Sequence, residues 1–452
     1  MNSSDYIEVN IKDLNQGGEG VARPSDHPVI FVEGALPGER VKAEPVEKKS
    51  NYWRARLLEI KEPSPHRIEP PCPVFSECGG CQLQHLEYSR QLLKKKNMLE
   101  DALARIGGLE SWPEFEVEGM DFPWYYRNKA QFPVGIDDDG EEQMLRPGFY
   151  RPGSHDPVFI QDCLIQHQPI NRLLRETTEL INKFEVEPYF EKSHRGNLRH
   201  LLIRAGVNTS QLQLTFVTRR DRMNGLDEIT SSLMGNFRSL WGIYHNINPE
   251  DTNVIMGEEL YLLAGEKYIS EYLKEKKFLI HPASFFQINT VQAVKLYDVV
   301  AEFFQDLNLN SIVDAYCGSG SIAIYLSGLA ERVIGVEEVP QAILAATRNA
   351  QLNNCGENIN FIQGKVEDAV PRMDLEKSSV IVDPPRKGLS RECVQALLNS
   401  RPPGIIYVSC KPATLARDIE RMKNNYTVNK LAAVDMFPHT THLESVALLT
   451  RK

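Results

Sequence analysis

Apolar and polar side chains alternate with a period of two over the first sixty residues. The alternating runs lie at 7–11, 29–32, 38–43 and 52–57, and a glycine-rich turn occupies 15–20. Alternation of this kind, broken by glycine turns, predicts short strands that close into a small β-barrel. We place this barrel at residues 1–62, because the following run, 63–73, is rich in proline and predicts a linker.

The pattern between the linker and residue 275 mixes helical and strand periods. Apolar residues recur every three or four positions over 88–107, which predicts a helix that ends at the glycine pair 107–108. Residues 120–275 show strand patterns with a few helices between glycine and aspartate turns. We expect a mixed α+β domain at 63–275, and we expect its helix 88–107 to pack on the domain that follows.

From about residue 280 onward, strand and helix patterns alternate. A helical pattern over 290–305 precedes five apolar runs, at 311–314, 332–336, 360–362, 379–382 and 404–409. Alternation of strands with helices predicts a parallel sheet that has helices on both faces. We therefore expect an α/β fold, with the third domain at 276–452.

The composition excludes several classes of protein. The 452 residues are 42% hydrophobic and 25% charged, and no apolar run reaches the roughly 20 residues of a membrane span. The N-terminus has no basic region followed by an apolar stretch, so we do not expect a secretory signal. Eight cysteines in a chain of this length do not make a disulfide scaffold. We expect a cytoplasmic protein whose thiols serve metal binding or catalysis.

The net charge of −10 argues against indiscriminate binding of nucleic acid. Three local basic runs, at 94–96, 199–204 and 219–222, keep RNA as a candidate partner. A solvated surface without a partner explains such runs equally well. Composition therefore leaves RNA binding open.

Cys410 is the strongest candidate for a catalytic side chain. It follows the apolar run 404–409 and precedes Lys411-Pro412, so it lies where a buried strand ends. Open α/β sheets hold their ligands at the carboxyl ends of their strands. A nearby lysine or a helix N-terminus lowers the pKa of a thiol, and we expect Lys411 and the helix pattern at 413–424 to activate Cys410.

A second motif predicts a cofactor site. The sequence 312–322 has the pattern of a strand, a tight turn at Gly318 and Gly320, and the start of a helix. Glycine lets the backbone approach a ligand closely, and Glu337, at the end of the next strand, is placed to bind ribose hydroxyl groups. The turn lacks the lysine of a triphosphate-binding loop, which favours an adenosine ligand without a polyphosphate.

Two more motifs carry carboxylates beside strand ends. Asp383 follows a buried strand and precedes two prolines and Arg386, a rigid exit from the sheet that forms a mouth for a planar group. Glu444 precedes an apolar strand and follows two histidines, and a carboxylate in this setting can act as a general base. In combination with Cys410, we expect Glu444 to take that role.

Four cysteines predict a metal centre. Cys72, Cys78 and Cys81 are separated by five and then two residues, with glycines before the third that permit tight wrapping. Cys163 is the natural candidate for the fourth ligand. Four thiolates suit either a [4Fe–4S] cluster or a zinc ion, and the softness of the ligands does not distinguish the two.

Together these motifs make the chain similar to the RNA uracil-5-methyltransferases that use S-adenosylmethionine. The resemblance covers nearly the whole chain and rests on Asp383-Pro-Pro-Arg386, on 408–418 around Cys410, and on 435–444. It implies a Rossmann-like class I methyltransferase domain at 276–452. The N-terminal barrel resembles the OB-like TRAM domain, which binds RNA. The cysteines resemble the iron–sulfur site of the branch that acts on 23S ribosomal RNA, which favours a [4Fe–4S] cluster over zinc.

The resemblance also implies a cofactor pocket and a substrate. S-adenosylmethionine would contact six residues: Phe286, Gln287, Tyr316, Ser321, Glu337 and Asp383. Two positions depart from the family pattern. Ser321 replaces the asparagine of many relatives, and Lys365 stands where relatives often carry Asp or Asn near the adenine. The implied substrate is a uridine of 23S ribosomal RNA, and we expect the enzyme to work as a monomer, away from membranes.

The implied chemistry is covalent catalysis. Uracil C5 is a weak nucleophile, so addition of Cys410 at C6 would generate an enolate whose C5 attacks the methyl group. Glu444 would then remove the C5 proton, while Asp383 and Arg386 orient the ring and stabilise its charge. The target base must first leave its stack. We expect aromatic side chains to stack on the RNA, among them Trp124, Tyr125 and Phe437.

Three alternatives are weighed against this hypothesis. The same chemistry on a tRNA uridine differs only in the substrate. Cytosine-5 methylation is disfavoured, because the cytosine enzymes carry a cysteine beside proline where this chain has Asp383-Pro-Pro. A catalytically inactive iron–sulfur or zinc protein that only binds RNA is disfavoured by the intact set of Cys410, Glu444 and Asp383.

Overall fold

The N-terminal region is a closed five-stranded barrel. The computed structural model describes residues 6–138, 143–191 and 193–452. The barrel strands are β1 (Ile7–Leu14), β2 (Gly20–Ala22), β3 (Val29–Glu33), β4 (Arg40–Lys48) and β5 (Tyr52–Glu62), in the order β1-β2-β3-β5-β4. Alternate side chains such as Ile30, Val32 and Val41 fill the interior, as the period-two pattern predicts.

The barrel is fastened to the residues that follow it by one buried carboxylate and a small apolar cluster. Glu39 is 1% exposed and accepts hydrogen bonds from Arg67 at 2.6 and 2.9 Å. Leu14 and Leu36 of the barrel pack against Leu83 and Leu86. A buried charge that is paired in this way holds the linker in one position.

The central region contains a seven-stranded mixed sheet in the order β13-β12-β11-β10-β7-β8-β9. Helices α2 and α3 of this region share a hydrophobic core with the sheet. The elements in chain order are α1 (Tyr88–Arg105), β6 (Val117–Glu118), β7 (Lys129–Asp138), β8 (Gln143–Tyr150), β9 (Pro157–Phe159), α2 (Gln168–Lys183), β10 (Leu198–Ala205), β11 (Leu212–Thr218), α3 (Leu226–Asn236), β12 (Leu240–Ile247), β13 (Glu259–Gly265), β14 (Ile269–Leu273) and β15 (Lys276–Ile280).

The C-terminal region is an α/β domain, as the alternating pattern predicts. Its elements are α4 (Thr290–Asp306), β16 (Ser311–Ala315), α5 (Ser321–Leu326), β17 (Arg332–Glu337), α6 (Pro340–Leu352), β18 (Ile359–Gln363), α7 (Val366–Ala369), β19 (Ser378–Val382), α8 (Arg391–Ser400), β20 (Gly404–Ser409), α9 (Pro412–Met422), β21 (Tyr426–Val434) and β22 (Glu444–Arg451). The sheet order is β18-β17-β16-β19-β20-β22-β21-β6. The first five of these strands are parallel, and β22 runs antiparallel between β20 and β21.

Three elements that begin in the central region belong to the C-terminal domain in space: β6, α1 and the hairpin β14–β15. Strand β6 pairs with β21, so it forms the edge of the large sheet. Helix α1 packs against α9, and its Leu99 and Leu103 lie in the same core as Val380 and Tyr407. The hairpin β14–β15 spans the predicted boundary between the second and third domains, at 275/276. Its Phe278 lies in the same core as the apolar side chains of α4. The two regions therefore have a common hydrophobic core.

Two of the three basic runs do not form an exposed basic surface. Lys95, Arg199 and Arg204 are 0%, 3% and 2% exposed. Lys94 is also buried, and its amine contacts Asp13 of the barrel at 2.7 Å. These cations bind groups inside the protein, and the interpretation of the two runs as RNA-binding faces is wrong. In the described ranges, no helix has the length and apolar character that crossing a membrane requires.

Candidate active site

Three parallel strands deliver candidate residues to one edge of the large sheet. β16, β19 and β20 end side by side, and Tyr316, Asp383 and Cys410 follow their last residues. β22 runs the other way and starts at Glu444, with Ser445 opposite Ser409 at the end of β20. The antiparallel pairing thus brings Glu444 beside Cys410, as the sequence hypothesis requires.

Cys410 is half-buried in the short connection between β20 and α9. The backbone around it is held by Ser409, whose hydroxyl accepts the Lys411 amide at 3.2 Å. Burial, with Glu444 as the next cause, raises the pKa of the Cys410 thiol to about 11, while Arg386 opposes the shift. Lys411 is exposed. The expectation that Lys411 and the start of α9 lower the pKa of this thiol is therefore wrong.

Glu444 and Asp383 form an acidic pair beside the thiol. Glu444 is 4% exposed; burial, and then the charge of Asp383, raise its pKa well above the ordinary value. Burial raises the pKa of Asp383 to about 7. Two nearby carboxyl groups with little access to water do not ionise together easily. Arg386 favours the charged forms of both Glu444 and Cys410.

The two histidines before Glu444 are neutral. Burial lowers the pKa of His439 to about 3 and that of His442 to about 4, and neighbouring cations, Lys95 for both and Arg386 for His442, lower them further. His439 stacks on Trp124 with the ring centroids 3.8 Å apart. One face of Trp124 is therefore already covered by protein, and its stacking on RNA stays a prediction.

The glycine turn after β16 is tightly shaped. Tyr316, Gly318 and Gly320 all have positive φ, at 71°, 54° and 80°. A Cβ at Gly320 would lie 3.0 Å from the ring of Phe361, so both conformation and space require glycine. Glu337 supports the turn from the end of β17, because its carboxylate accepts the Gly318 amide at 3.2 Å and the Val339 amide at 2.9 Å.

Two of the remaining predicted cofactor residues, Gln287 and Ser321, contact the hydroxyl of one tyrosine, Tyr297. The hydroxyl of Tyr297 lies 3.0 Å from that of Ser321, and the side chain of Gln287 also hydrogen-bonds to it. Phe286 is 4% exposed, and its ring lies 5.7 Å from that of Phe278. Tyr297 itself was not predicted, because an aromatic residue on a helix face reads as ordinary core.

Asp314 is a further carboxylate that sequence reasoning did not single out. It is fully buried near the end of β16, and its Oδ2 accepts the Ala323 amide at 2.9 Å. Its Oδ1 is buried without a hydrogen-bond partner. Burial, with smaller contributions from Asp383 and Glu337, raises its pKa to about 8. A carboxylate inside the apolar run 311–315 is the signal that identifies it.

Two cavities lie outside this edge. One of about 480 Å³ includes Lys365 and Asp368, but it extends to Ser311 and Arg332 at the amino ends of strands. None of the residues that line it is Cys410, Asp383 or Glu444, so the reaction site lies elsewhere. A second cavity, of about 330 Å³, is lined by aromatic side chains that include Trp124 and Tyr125.

The four predicted metal ligands have thiols that act on one another electrostatically. Burial raises the pKa of Cys81 to about 12 and that of Cys163 to about 11. The charges of Cys163 and Cys78 add to the first shift, and those of Cys78 and Cys72 to the second. In the three described ranges, no group of three or more His, Cys, Asp or Glu side chains is arranged to hold a single metal ion.

Comparison with known families gives two matches. The family described as tRNA (Uracil-5-)-methyltransferase matches residues 261–452. The TRAM domain matches residues 4–58, which correspond to most of the barrel.

Individual relatives match over the full length. An uncharacterized RNA methyltransferase of Halalkalibacterium halodurans is 40% identical over 100% of this chain and 98% of its own, and one of Bacillus cereus is 39% identical over 100% and 98%. The crystal structure of the Pyrococcus abyssi tRNA (uracil-54, C5)-methyltransferase with S-adenosyl-L-homocysteine is 30% identical and superposes with a TM-score of 0.78. That match covers 98% of this chain and 100% of the Pyrococcus chain.

The raised pKa of Asp314 predicts how stability changes with pH. A carboxyl group whose pKa is about 8 in the folded protein keeps its proton at pH 5 to 7, whereas the unfolded chain has released it. The free energy of unfolding therefore falls as pH rises through this window, by up to about 1.4 kcal/mol for each pH unit. Asp314→Asn removes this dependence and keeps an oxygen for the Ala323 amide.

Chemical denaturation of wild type and Asp314→Asn at pH 5, 6 and 7 measures the effect. We expect the variant to gain stability relative to wild type as pH rises. Asp374→Asn, at an exposed position of the same domain, is the control for the loss of one carboxylate. Parallel curves for wild type and Asp314→Asn would show that the carboxyl group is already ionised.

Proposed function

Because the chain belongs to the TRAM-containing family of RNA uracil-5-methyltransferases, we propose that it methylates C5 of a uridine in 23S ribosomal RNA through a covalent bond to Cys410. Membership establishes S-adenosylmethionine-dependent methylation of uracil C5 in RNA. The observation that carries the covalent route is the register of β20 with β22, which sets a thiol and a buried carboxyl group side by side. The enzyme acts as a monomer.

The reaction starts at Cys410. Cys410 loses its thiol proton to solvent, its sulfur adds to uracil C6, the C5–C6 double bond opens, and the electron pair moves onto the ring as an enolate. S-adenosylmethionine, when bound, would supply an electrophilic methyl group. C5 would bond to the methyl carbon while the bond from that carbon to the sulfonium sulfur breaks and leaves its electron pair on the sulfur. Arg386 favours the thiolate and stabilises charge on the ring, while Asp383 orients the uracil edge.

Glu444 completes the reaction as the general base. Its carboxylate takes the proton from C5, the electrons of the C–H bond restore the C5–C6 double bond, and the sulfur of Cys410 departs. This role requires the charged form of Glu444, whose pKa is raised in the folded protein. Arg386 favours the ionised form of Glu444.

The residues at the sheet edge fit an adenosine ligand that carries a positive charge. Glu337 and the glycine turn would bind the nucleoside, as the strand ends of class I folds do, and Phe286, Gln287, Tyr316 and Ser321 would complete the pocket. Asp314 and Asp383 add carboxyl groups whose raised pKa values a sulfonium cation would lower.

Two RNAs are candidates for the substrate, 23S ribosomal RNA and tRNA, and a different argument supports each. The cysteines and the barrel resemble the branch of the family that acts on 23S ribosomal RNA. The Pyrococcus relative is described as acting on uridine 54 of tRNA, and it aligns over 98% of this chain, so the barrel alone does not distinguish the substrates. We propose ribosomal RNA as the substrate and keep tRNA as the second candidate.

The four cysteines would hold a [4Fe–4S] cluster. Four cysteine thiolates are the usual ligand set of such a cluster, and all four of these thiols are half-buried. Cys72, Cys78, Cys81 and Cys163 would bind it as thiolates, and the amide of Gly80 lies 3.4 Å from the sulfur of Cys78. The cluster would fix a segment that has no regular secondary structure of its own.

The covalent route predicts distinct failures for two substitutions. Cys410→Ala removes the nucleophile, and we expect kcat to fall by on the order of 10⁴ or more. Glu444→Gln keeps the nucleophile but lacks the base, so methylated RNA should stay bound to the protein and run as a slow band on a denaturing gel. Cys355→Ala, a half-buried thiol of the same domain, is the matched control. Methyl transfer that survives Cys410→Ala would exclude the covalent mechanism.

The substrate is identified by mass mapping of 5-methyluridine in RNA from cells with and without this protein. We expect one or more methyluridines to disappear from 23S ribosomal RNA and to return when the gene is restored. The Cys410→Ala gene is the control, since it supplies the protein without the chemistry. Unchanged ribosomal RNA with a methyluridine missing from tRNA would establish the second candidate instead.

The cluster is tested by metal analysis of protein purified without oxygen. We expect about four iron atoms per chain in wild type and a visible absorption band that Cys81→Ser abolishes. Cys355→Ser, which alters a thiol far from the four in sequence, should keep both signals. One zinc ion per chain with no iron would contradict the proposal.

A further inference from the structure

The chain segment that leads to Glu444 is held in place by hydrogen bonds that other parts of the protein donate to its backbone carbonyls. Asp435–His439, named here the base segment, follows β21 and comes shortly before Glu444 in the chain. All five of its carbonyl oxygens accept a hydrogen bond from elsewhere in the protein. The donors, in order from Asp435, are Gln292 Nε2 at 3.1 Å, Asn289 Nδ2 at 3.1 Å, Lys95 Nζ at 3.1 Å, Tyr126 Oη at 2.9 Å, and the amides of Gln82 and Leu83 at 2.9 Å each.

These donors are buried. Lys95, Asn289 and Gln292 are fully buried, and Tyr126 is 5% exposed. Connections between strands usually lie on the surface and direct their carbonyls to water. Taking amines, amides and a hydroxyl out of water is unfavourable unless each is bonded, so such a set specifies one geometry for the base segment.

An ion pair fixes the start of the base segment. Lys95 Nζ lies 2.6 Å from Asp435 Oδ1, and both side chains are fully buried. The hydroxyl of Tyr88 donates to Asp435 Oδ2 at 2.9 Å. Replacing a buried pair by apolar residues often leaves stability unchanged or improves it. The pair therefore contributes more to the position of the base segment than to overall stability.

The other end of the base segment has a strained backbone. His439 has a φ of +65°, a conformation that residues other than glycine adopt rarely. Gln91 Oε1 accepts the His439 amide at 3.0 Å, and Gln91 Nε2 lies 3.2 Å from its ring. Trp124 covers the imidazole. Strain of this kind persists only where surrounding contacts enforce it.

We propose that Tyr126, Lys95 and Gln91 are positioning residues for Glu444. They come from the central region, bind the base segment, and thereby hold the carboxylate where it reaches the C5 proton. This proposal rests on the proposed function. Gln82 and Leu83 belong to the same set, and they directly follow Cys81, so the cysteine loop is one bond away from the base segment.

The proposal predicts which step of the reaction slows. Attack by Cys410 and methyl transfer both precede removal of the C5 proton, and neither uses Glu444. A loosened base segment therefore slows only the last step. The methylated RNA stays attached to Cys410 for longer, and a deuterium at C5 begins to slow turnover.

The test compares two tyrosines that make the same bond. Tyr126→Phe removes the hydroxyl that donates to the Pro438 carbonyl at 2.9 Å, and Tyr426→Phe removes one that donates to the Pro402 carbonyl at 2.9 Å. Both residues are buried, at 5% and 3% exposure, and only Tyr126 contacts the base segment. Both variants keep the ring, so the fold should be retained, which thermal unfolding checks.

We expect Tyr126→Phe to lower kcat about tenfold, with the KM for RNA within about twofold of wild type. Its covalent RNA complex should accumulate, and a C5-deuterium isotope effect should emerge, as in Glu444→Gln. Tyr426→Phe should match wild type in all of these measurements.

Three outcomes would overturn the proposal. Equal losses in Tyr126→Phe and Tyr426→Phe would mean that the bond acts on the fold in general. A covalent complex in Glu444→Gln but not in Tyr126→Phe would exclude the positioning role and leave the proposed function intact. No covalent complex in either variant, with wild-type methylation present, would exclude the covalent route and the positioning role together.

Discussion

The antiparallel pairing of β22 with β20 is the constraint on which the candidate active site depends. If β22 ran parallel to the first five strands, its first residue would lie at their amino ends, on the far side of the sheet from Cys410. Because β22 runs in the reverse direction, its first residue, Glu444, lies next to Cys410, the residue that follows the end of β20. Cys410 and Glu444, 34 residues apart in sequence number, are therefore neighbours across two paired strands, and Asp383 follows the adjacent strand at the same edge.

The base segment shows why the central region and the α/β domain are one folding unit. Helix α1 contributes apolar side chains to the core of the large sheet and Lys95 to the buried pair with Asp435. Strand β6 completes the edge of that sheet. Replacing Lys95 by an apolar residue would leave Asp435 charged and unpaired inside the protein, which typically destabilises by about 3–5 kcal/mol. The region that carries the cysteines is thus also part of the support for the active-site edge.

Local sequence patterns predicted the strands and helices, because the spacing of apolar residues that marks each of them extends over only a few positions. The parallel strands and the barrel follow from runs and alternation, and the alternating pattern gave the α/β fold. The sequence patterns did not reveal partners that lie far apart. The run at 94–96 looked like a surface patch, yet Lys95 binds a residue 340 positions away. Asp314 was not singled out because the glycine turn that follows, at Gly318 and Gly320, was enough to predict a cofactor site.

The pKa values at the candidate site suggest how activation of the Cys410 thiol would depend on binding of the cofactor. Burial raises the pKa of Cys410 to about 11 and those of Asp383 and Asp314 to about 7 and 8, so the edge favours protonated, neutral groups. A thiol in that state is a poor nucleophile. Positive charge lowers the pKa of all three groups, and under the proposed function the bound sulfonium would bring such a charge to this edge. The thiol would then ionise more readily with the cofactor bound than without it, whereas a thiol activated by its own helix would be reactive at all times.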